Sequence, residues 1–376
     1  MAGIYFHFPF CRQACHYCNF HFSTQLKYQD KILQAFEKEI ELRIEESPAK
    51  LESIYFGGGS PSLLSPKSVE RLIDVVNKNF KFHKNIEITI EVNPDDVSYN
   101  YLKDLVSAGI NRLSIGIQSF SDAELKLMNR IHNADQGIKT LDWTAKLFNN
   151  FSLDLIYGTP SSDISSWKKN LNQALSIDVP HLSSYALTVE PKTVLAHQVK
   201  MKQVQLLDDE LIKIQYDWMV DSMEQAGYEN YEFSNFSKPG FNAVNNANYW
   251  KGKAYIGIGP AAHSFDGKRK RSWNPSNNLK YLKSIHQGIL PAKFENLNTH
   301  EAFNEYLMTG LRTSWGVSLQ KVNETFGEQY SNYLEKQAEN YLINQKLYWD
   351  GDALKVSKTA KFLTDGIASD LFLLNN

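Results

Sequence analysis

The only cysteines of this 376-residue chain fall within eight positions, in the run Cys11-Arg12-Gln13-Ala14-Cys15-His16-Tyr17-Cys18. A C-x3-C-x2-C triplet offers three thiolates. Three thiolates can hold three irons of a [4Fe–4S] cube and leave the fourth iron open, whereas a cluster that only carries electrons takes four cysteines. An open iron can bind a substrate. Two other chemistries use the same residues. Structural zinc prefers four ligands and would need His7, His16 or His21 as its fourth. A disulfide would leave an odd cysteine and suits an oxidising compartment. The opening MAGIYFHF has neither a basic n-region nor a long apolar h-region, so it gives no reason to expect secretion.

Other chemistry-bearing residues recur behind apolar runs. Gly57-Gly58-Gly59-Ser60-Pro61 follows a strand-like segment, where glycines allow close backbone approach and expose N–H groups to a ligand. Glu91, Gln118 and Arg130 each have two readings, a surface or structural polar residue and a ligand contact. Asp154 sits inside the apolar run Leu-Asp-Leu-Ile-Tyr, so it needs a partner if it is buried.

Strands alternating with helices must position these residues. Strands are expected at Ile4–Phe8, Ser53–Phe56, Ile86–Val92, Leu113–Ile117, Leu153–Tyr157 and Leu182–Val189. Helices are expected at about 30–46, 66–80, 99–108, 122–130, 135–148, 164–176 and 208–226. Ser65 is a good N-cap, Pro66 suits a first helical turn, and Gly109 is a helix stop. Six successive βα units predict an α/β fold, a parallel sheet curled into a partial (β/α)6 barrel. The unusual residues then fall at the C-terminal ends of the strands, the active-site rim of such barrels. The barrel is expected over residues 1–236, a connecting segment covering its mouth over 237–299, and a smaller helical domain over 300–376. In the last, helices at about 300–313, 319–326 and 329–343 and a hairpin turning at Asp350-Gly351 suggest a winged-helix-like unit.

The net charge of −2 gives no nucleic-acid footprint, and the basic run Lys268–Arg271 reads as a solvated loop face. No apolar run is long enough for a membrane span.

Taken together, YFHFPFCRQACHYCNF, YFGGGSPSLL, IEVNPDD, SIGIQSF, LMNRIH, LDLIYGTP, GIGPAAHSF and EYLMTGLRTSWGV resemble, in order, the radical S-adenosylmethionine (SAM) family of oxygen-independent coproporphyrinogen III oxidases and HemW-type heme chaperones. The resemblance covers roughly residues 1–375. It implies a [4Fe–4S] cluster on Cys11, Cys15 and Cys18 whose open iron binds SAM, and cleavage of SAM by one electron to a 5′-deoxyadenosyl radical. It places SAM and cluster contacts at Tyr5, Tyr17, Gly58, Gly59, Ser60, Glu91, Gln118, Arg130, Asp154 and Ala186.

Two departures separate this chain from the oxidase branch. Those enzymes carry a further cysteine two residues after the third, where this chain has Phe20, and an extension before the first strand, which here begins at residue 4. Both point to the HemW branch. HemW proteins typically carry H-N-x-x-Y-W, with the histidine as proposed heme contact; the matching run here is Asn245-Asn246-Ala247-Asn248-Tyr249-Trp250. An amide is a poor iron ligand beside imidazole. Asn245, Tyr249, Trp250 and His263 are therefore the candidate heme contacts, His263 also reading as a satisfied histidine in a Gly-rich turn. The expectation is a cytoplasmic heme chaperone with a heme or related tetrapyrrole ligand, a heme-acceptor protein and a reducing electron donor as partners, and no nucleic acid. The alternatives are a radical oxidase of porphyrinogen propionates and a SAM-independent iron–sulfur or heme-storage protein.

Overall fold

The computed structural model describes residues 2–46, 50–160 and 162–374. Its centre is a run of six parallel strands in chain order: β1 (Ala2–Phe8), β2 (Leu51–Gly58), β3 (Phe82–Val92), β4 (Arg112–Gln118), β5 (Phe151–Tyr157) and β6 (His181–Ala186). The helices between them are α1 (Gln29–Leu42), α2 (Pro66–Asn79), α3 (Tyr99–Ser107), α4 (Asp122–Leu127), α5 (Ala134–Leu147), α6 (Ile164–Ser176), α7 (Val194–Lys200) and α8 (Asp209–Gln225). The expected partial (β/α)6 barrel is the observed core.

The strand sequences explain why the sheet has a dry side and a wet side. Side chains alternate across a strand. One set is apolar and buried: Ile4, Phe6 and Phe8; Ile54 and Phe56; Ile88 and Ile90; Leu113, Ile115 and Ile117; Leu153 and Leu155. It meets helix stripes such as Ile32, Phe36 and Ile40 of α1, spaced at i, i+4 and i+8. The other set is Tyr5, Tyr55, Glu91, Arg112, Ser114, Ser152, Asp154, His181 and Ser183, all lining one cavity. Parallel register lays these side by side, with Tyr5 beside Tyr55, Ser114 beside Ser152 and Asp154 beside Ser183. Local signals act as expected at α2, where the Ser65 side chain accepts the Ser68 N–H and Pro66 occupies the first turn.

The segment after residue 236 departs from the expected cover. Strand β9 (Tyr255–Ile258) runs parallel beside β1, and β10 (His263–Phe265), β11 (Lys270–Trp273) and β12 (Lys293–Asn296) continue the sheet antiparallel beyond it. At the other edge, β7 (Glu229–Glu232) and β8 (Asn235–Ser237) follow β6. The short strands within 237–299 thus extend the sheet, because they find unpaired backbone at β1. Its helix α9 (Val244–Trp250) packs against β1 and β2 from the cavity side, and α10 (Asn278–His286) packs against α1. The basic run also belongs to a strand: Arg271 pairs with Glu305 and Lys270 lies over the Phe294 ring.

Residues 299–371 form a second core of their own, including Phe303, Leu307, Leu334 and Leu354. Helices α11 (Thr299–Leu311), α12 (Leu319–Phe326) and α13 (Glu328–Ile343) precede a hairpin of β14 (Leu347–Asp350) and β15 (Ala353–Val356). Two residues, β13 (Val317–Ser318), pair with β15 to complete a three-stranded sheet.

Candidate cofactor site

The cysteine loop leaves β1 and is tied down on both sides. Cys11 N–H donates to Ser23 O (3.1 Å) and Ser23 N–H to Pro9 O (3.0 Å), closing the loop at its base. The chain after α4 holds the other end: the Asn129 side chain donates to Ala14 O (2.8 Å), and Gln13 donates to Asn129 O (2.9 Å). His16 N–H donates to Met128 O (3.1 Å), and Leu195 N–H of α7 donates to His16 O (2.8 Å). Helix α7 was not expected from the sequence, yet it fixes the loop and packs Leu195 in a small cluster with Leu125, Met128, Ile156 and Leu187.

The glycine loop after β2 presses on the cysteine loop from below. Gly59 N–H donates to Phe8 O (2.8 Å) and Ser60 N–H to Phe10 O (2.7 Å). A Cβ on Gly59 would lie 2.5 Å from the Phe10 carbonyl oxygen, so only glycine lets the two backbones approach. Gly58 has φ +109°, which a side chain would strain. At β4 a register irregularity between Ile115 and Gln118, with φ +67° at Gln118, turns the end of the strand over the cavity. Gln118 thus pairs alongside Leu155 while lining the cavity.

One cavity of about 570 Å³ gathers most of the expected residues: Cys11, Cys15, Cys18, Tyr5, Tyr17, Gly58, Gly59, Ser60, Glu91, Gln118, Arg130, Asp154, Ala186, Asn245 and Tyr249. Trp250 and His263 are not among its lining residues. Trp250 faces the Arg312 guanidinium, 5.8 Å from its ring, and His263 is exposed on β10 with its ring 6.0 Å from Trp273. These two candidate heme contacts therefore lie outside the cavity that gathers the cofactor contacts. Trp250 lies at the end of α9 next to Arg312 of the second domain, and the turn at Gly259 carries His263 onto β10, between β9 and β11.

The electrostatics separate three regions. Around the thiols, burial pushes Cys11 up to about 12 and also raises Cys18. Arg130 stands beside them, its Nη1 3.6 Å from Cys15 Sγ and its Nη2 donating to Asn93 Oδ1 (2.7 Å) and Gly116 O (2.8 Å). Its bonds to Asn93 and Gly116 are to neutral acceptors, so its charge favours thiolate. Further in, burial pushes Glu91 up to about 7 and Asp154 up to about 6. Tyr55 OH donates to Glu91 Oε1 (2.9 Å), and Ser114 Oγ donates to Asp154 Oδ2 (3.2 Å). At the floor, Asn245 Oδ1 accepts from Ser53 Oγ (3.1 Å), and Asn245 N–H donates to Glu87 Oε1 (3.2 Å).

The donor set fits an iron–sulfur cube better than zinc. His7, His16 and His21 are not among the lining residues. Each spends a ring nitrogen elsewhere, on His21 O (2.8 Å), Leu127 O (2.9 Å) and Asn278 Oδ1 (2.7 Å) respectively. Among the described residues no three His, Cys, Asp or Glu side chains gather about one point as a single ion requires. A cube instead takes each thiolate on a different iron. The interior also fits SAM. Buried Glu91 and Asp154 have only neutral hydrogen-bonding partners, and SAM carries an ammonium and a sulfonium.

Sequence reasoning missed Tyr55, Arg112, Ser114, Ser152, His181 and Ser183, all lining this cavity. Their signal was present as strict alternation of polar with apolar residues in strands read simply as apolar. Among the described residues, Arg112 Nε and His181 Nδ1 are buried there without hydrogen-bond partners, although Arg112 Nε lies 3.8 Å from Glu87 Oε2.

Comparison with known proteins agrees with this geometry. Residues 5–174 match the Radical SAM superfamily, and 297–363 match the HemN C-terminal domain. The chain is 34% identical to Heme chaperone HemW of Bacillus subtilis, with 92% of this chain and 93% of that protein covered. It is 32% identical to Heme chaperone HemW of Lactococcus lactis, with 95% and 93% covered. Its fold is similar to that of coproporphyrinogen III oxidase (HemN) from Escherichia coli, with TM-score 0.84 and 22% identity over 99% of this chain and 90% of that one. Radical SAM barrel, HemN-type C-terminal domain and near-full-length identity converge: the chain belongs to the HemW family of radical SAM proteins.

Proposed function

We propose that this chain holds a [4Fe–4S] cluster on Cys11, Cys15 and Cys18, binds SAM in the cavity above Glu91 and Asp154, and carries heme for delivery to an acceptor protein. The observation that carries the reading is the cavity itself. Three thiols, an arginine beside them and two buried carboxyls share one chamber. SAM bound there supplies a sulfonium that one-electron reduction can cleave to a 5′-deoxyadenosyl radical. The protein's part is to hold and shield. Gly58 and Gly59 bring backbone close to the ligand, Tyr5 and Tyr55 stack with centroids 5.9 Å apart beside Glu91, and Gln118 and Arg130 close the rim.

The heme part rests on the family to which the chain belongs. Two curated HemW relatives are named heme chaperones. Phe20 in place of a further cysteine separates the chain from the oxidase branch it resembles. A cytoplasmic setting suits free thiols, and among the described residues no helix is long and apolar enough to cross a membrane. The test is heme titration beside product chromatography on the anaerobically reconstituted protein, given SAM, a strong reductant and coproporphyrinogen III. Heme binding without protoporphyrinogen IX is the expected result. Robust protoporphyrinogen formation would replace the chaperone reading with the oxidase.

A further inference from the structure

Resting on the heme-binding reading, we infer that the tetrapyrrole lies across the mouth of the cofactor cavity, against Phe20 and Ile131, and not on helix α9. Phe20 is 68% exposed and Ile131 49% exposed, and both line the cavity that holds Glu91, Arg130 and Asp154. Large apolar side chains left uncovered beside a binding site mark a surface that a ligand covers. Neither is a stray residue on a loose loop. Phe20 follows Cys18 by two residues and lines the same cavity as the three thiols, which places its segment beside them. Ile131 directly follows Arg130, whose guanidinium reaches Cys15. Two separate segments thus present apolar side chains at the same opening.

The floor offers no comparable place. Asn245 is only 4% exposed and is engaged by Ser53 and Glu87. Its Oδ1 would lie 3.2 Å from a Cβ on Gly3, so the packing there is already close. The single histidine among the lining residues is His181, buried at the floor with Nε2 2.8 Å from Tyr231 OH. The mouth therefore holds a tetrapyrrole by its face rather than through an imidazole on the iron. Charge at the mouth suits the propionates. Arg12 lines the opening, its side chain is 58% exposed, and its Nε is the nitrogen bonded to Asp96 (2.7 Å). Among the described residues no hydrogen bond engages its two outer nitrogens, so they are left for a carboxylate.

The test is titration of the reconstituted full chain with heme and, separately, with metal-free protoporphyrin IX. Wild type, Phe20→Ala, Ile131→Ala and the double variant are compared, with iron content and SAM affinity measured on each. Burial of one large apolar side chain corresponds to roughly tenfold in affinity. Each single variant is expected to bind both ligands about tenfold more weakly while keeping its iron and its SAM affinity. Metal-free protoporphyrin is expected to bind wild type within a few-fold of heme. Wild-type heme binding that survives in the double variant, or that is lost when iron is absent from the macrocycle, overturns this placement and leaves the chaperone reading standing. Failure of the wild type to bind either ligand overturns both.

Discussion

Glu91 shows most clearly what one residue contributes. Burial pushes its carboxyl up to about 7 from 4.5, so the ligand-free folded chain holds a proton there more tightly than the unfolded chain does. The sign follows from linkage. This group favours the folded state fully below pH 4.5, and the advantage is lost as pH rises through about 7. A cationic ligand reverses the preference by favouring carboxylate. SAM binding near neutral pH is therefore expected to release a proton, and its affinity to rise as pH rises through about 7. Calorimetry in buffers of different ionisation enthalpy measures that release. Glu91→Gln should abolish most of it and weaken SAM binding by about 1.5–3 kcal/mol, the range for a hydrogen bond to a charged group. Unchanged proton release in that variant would move the linkage elsewhere.

At the scale of elements, the glycine loop and the cysteine loop behave as one unit. From sequence alone, Gly59→Val is expected to block SAM and spare the cluster. The structure gives a different outcome, because the new Cβ would meet the Phe10 backbone, one residue before Cys11. Gly59→Val should therefore lower iron content as well as SAM binding, and iron analysis after reconstitution checks it. Retained iron with lost SAM binding would favour the narrower steric effect. The same comparison shows what was legible. Ser65-Pro66 and the Gly109 stop mark helix ends in the sequence because capping is local chemistry. The run from Ala254 to His263 reads from sequence as a Gly-rich strand and turn, but the pairing of β9 with β1 was not legible, and neither was helix α7. Each element is short, four and seven residues, and each is stabilised by distant partners: β1 for the strand, the cysteine loop for the helix. The polar barrel wall was legible in principle through its alternation. It was overlooked because the apolar half of each strand dominates a simple reading.

Across the whole molecule, α9 joins the cavity to the second domain. Asn245 sits at the barrel floor. Asn246 donates to Tyr231 OH (3.2 Å), which meets His181, and Trp250 lies under Arg312. Phe233 N–H donates to Arg312 O (2.9 Å) and Ser314 N–H to Tyr231 O (3.0 Å), so the second domain is hydrogen-bonded to the same edge. The helix that the sequence marks for heme thus serves the frame. Asn245→His, which sequence reasoning would use to strengthen heme binding, is expected instead to destabilise the fold by about 1–3 kcal/mol, since it removes the amide oxygen that accepts from buried Ser53 Oγ and puts a larger ring in its place. Thermal denaturation beside heme titration decides between them, and tighter heme binding with unchanged melting would restore the sequence reading.

The central claim is that three thiolates hold a cluster with one iron free for SAM. Its most direct measurement is the EPR spectrum of the reduced, anaerobically reconstituted chain before and after addition of SAM. The chain should hold about four irons, as cluster stoichiometry requires, and the spectrum should change when SAM binds. Replacement of Cys11, Cys15 or Cys18 by Ala should remove both the signal and its response. A signal indifferent to SAM, or one bound zinc in place of iron, would contradict the account.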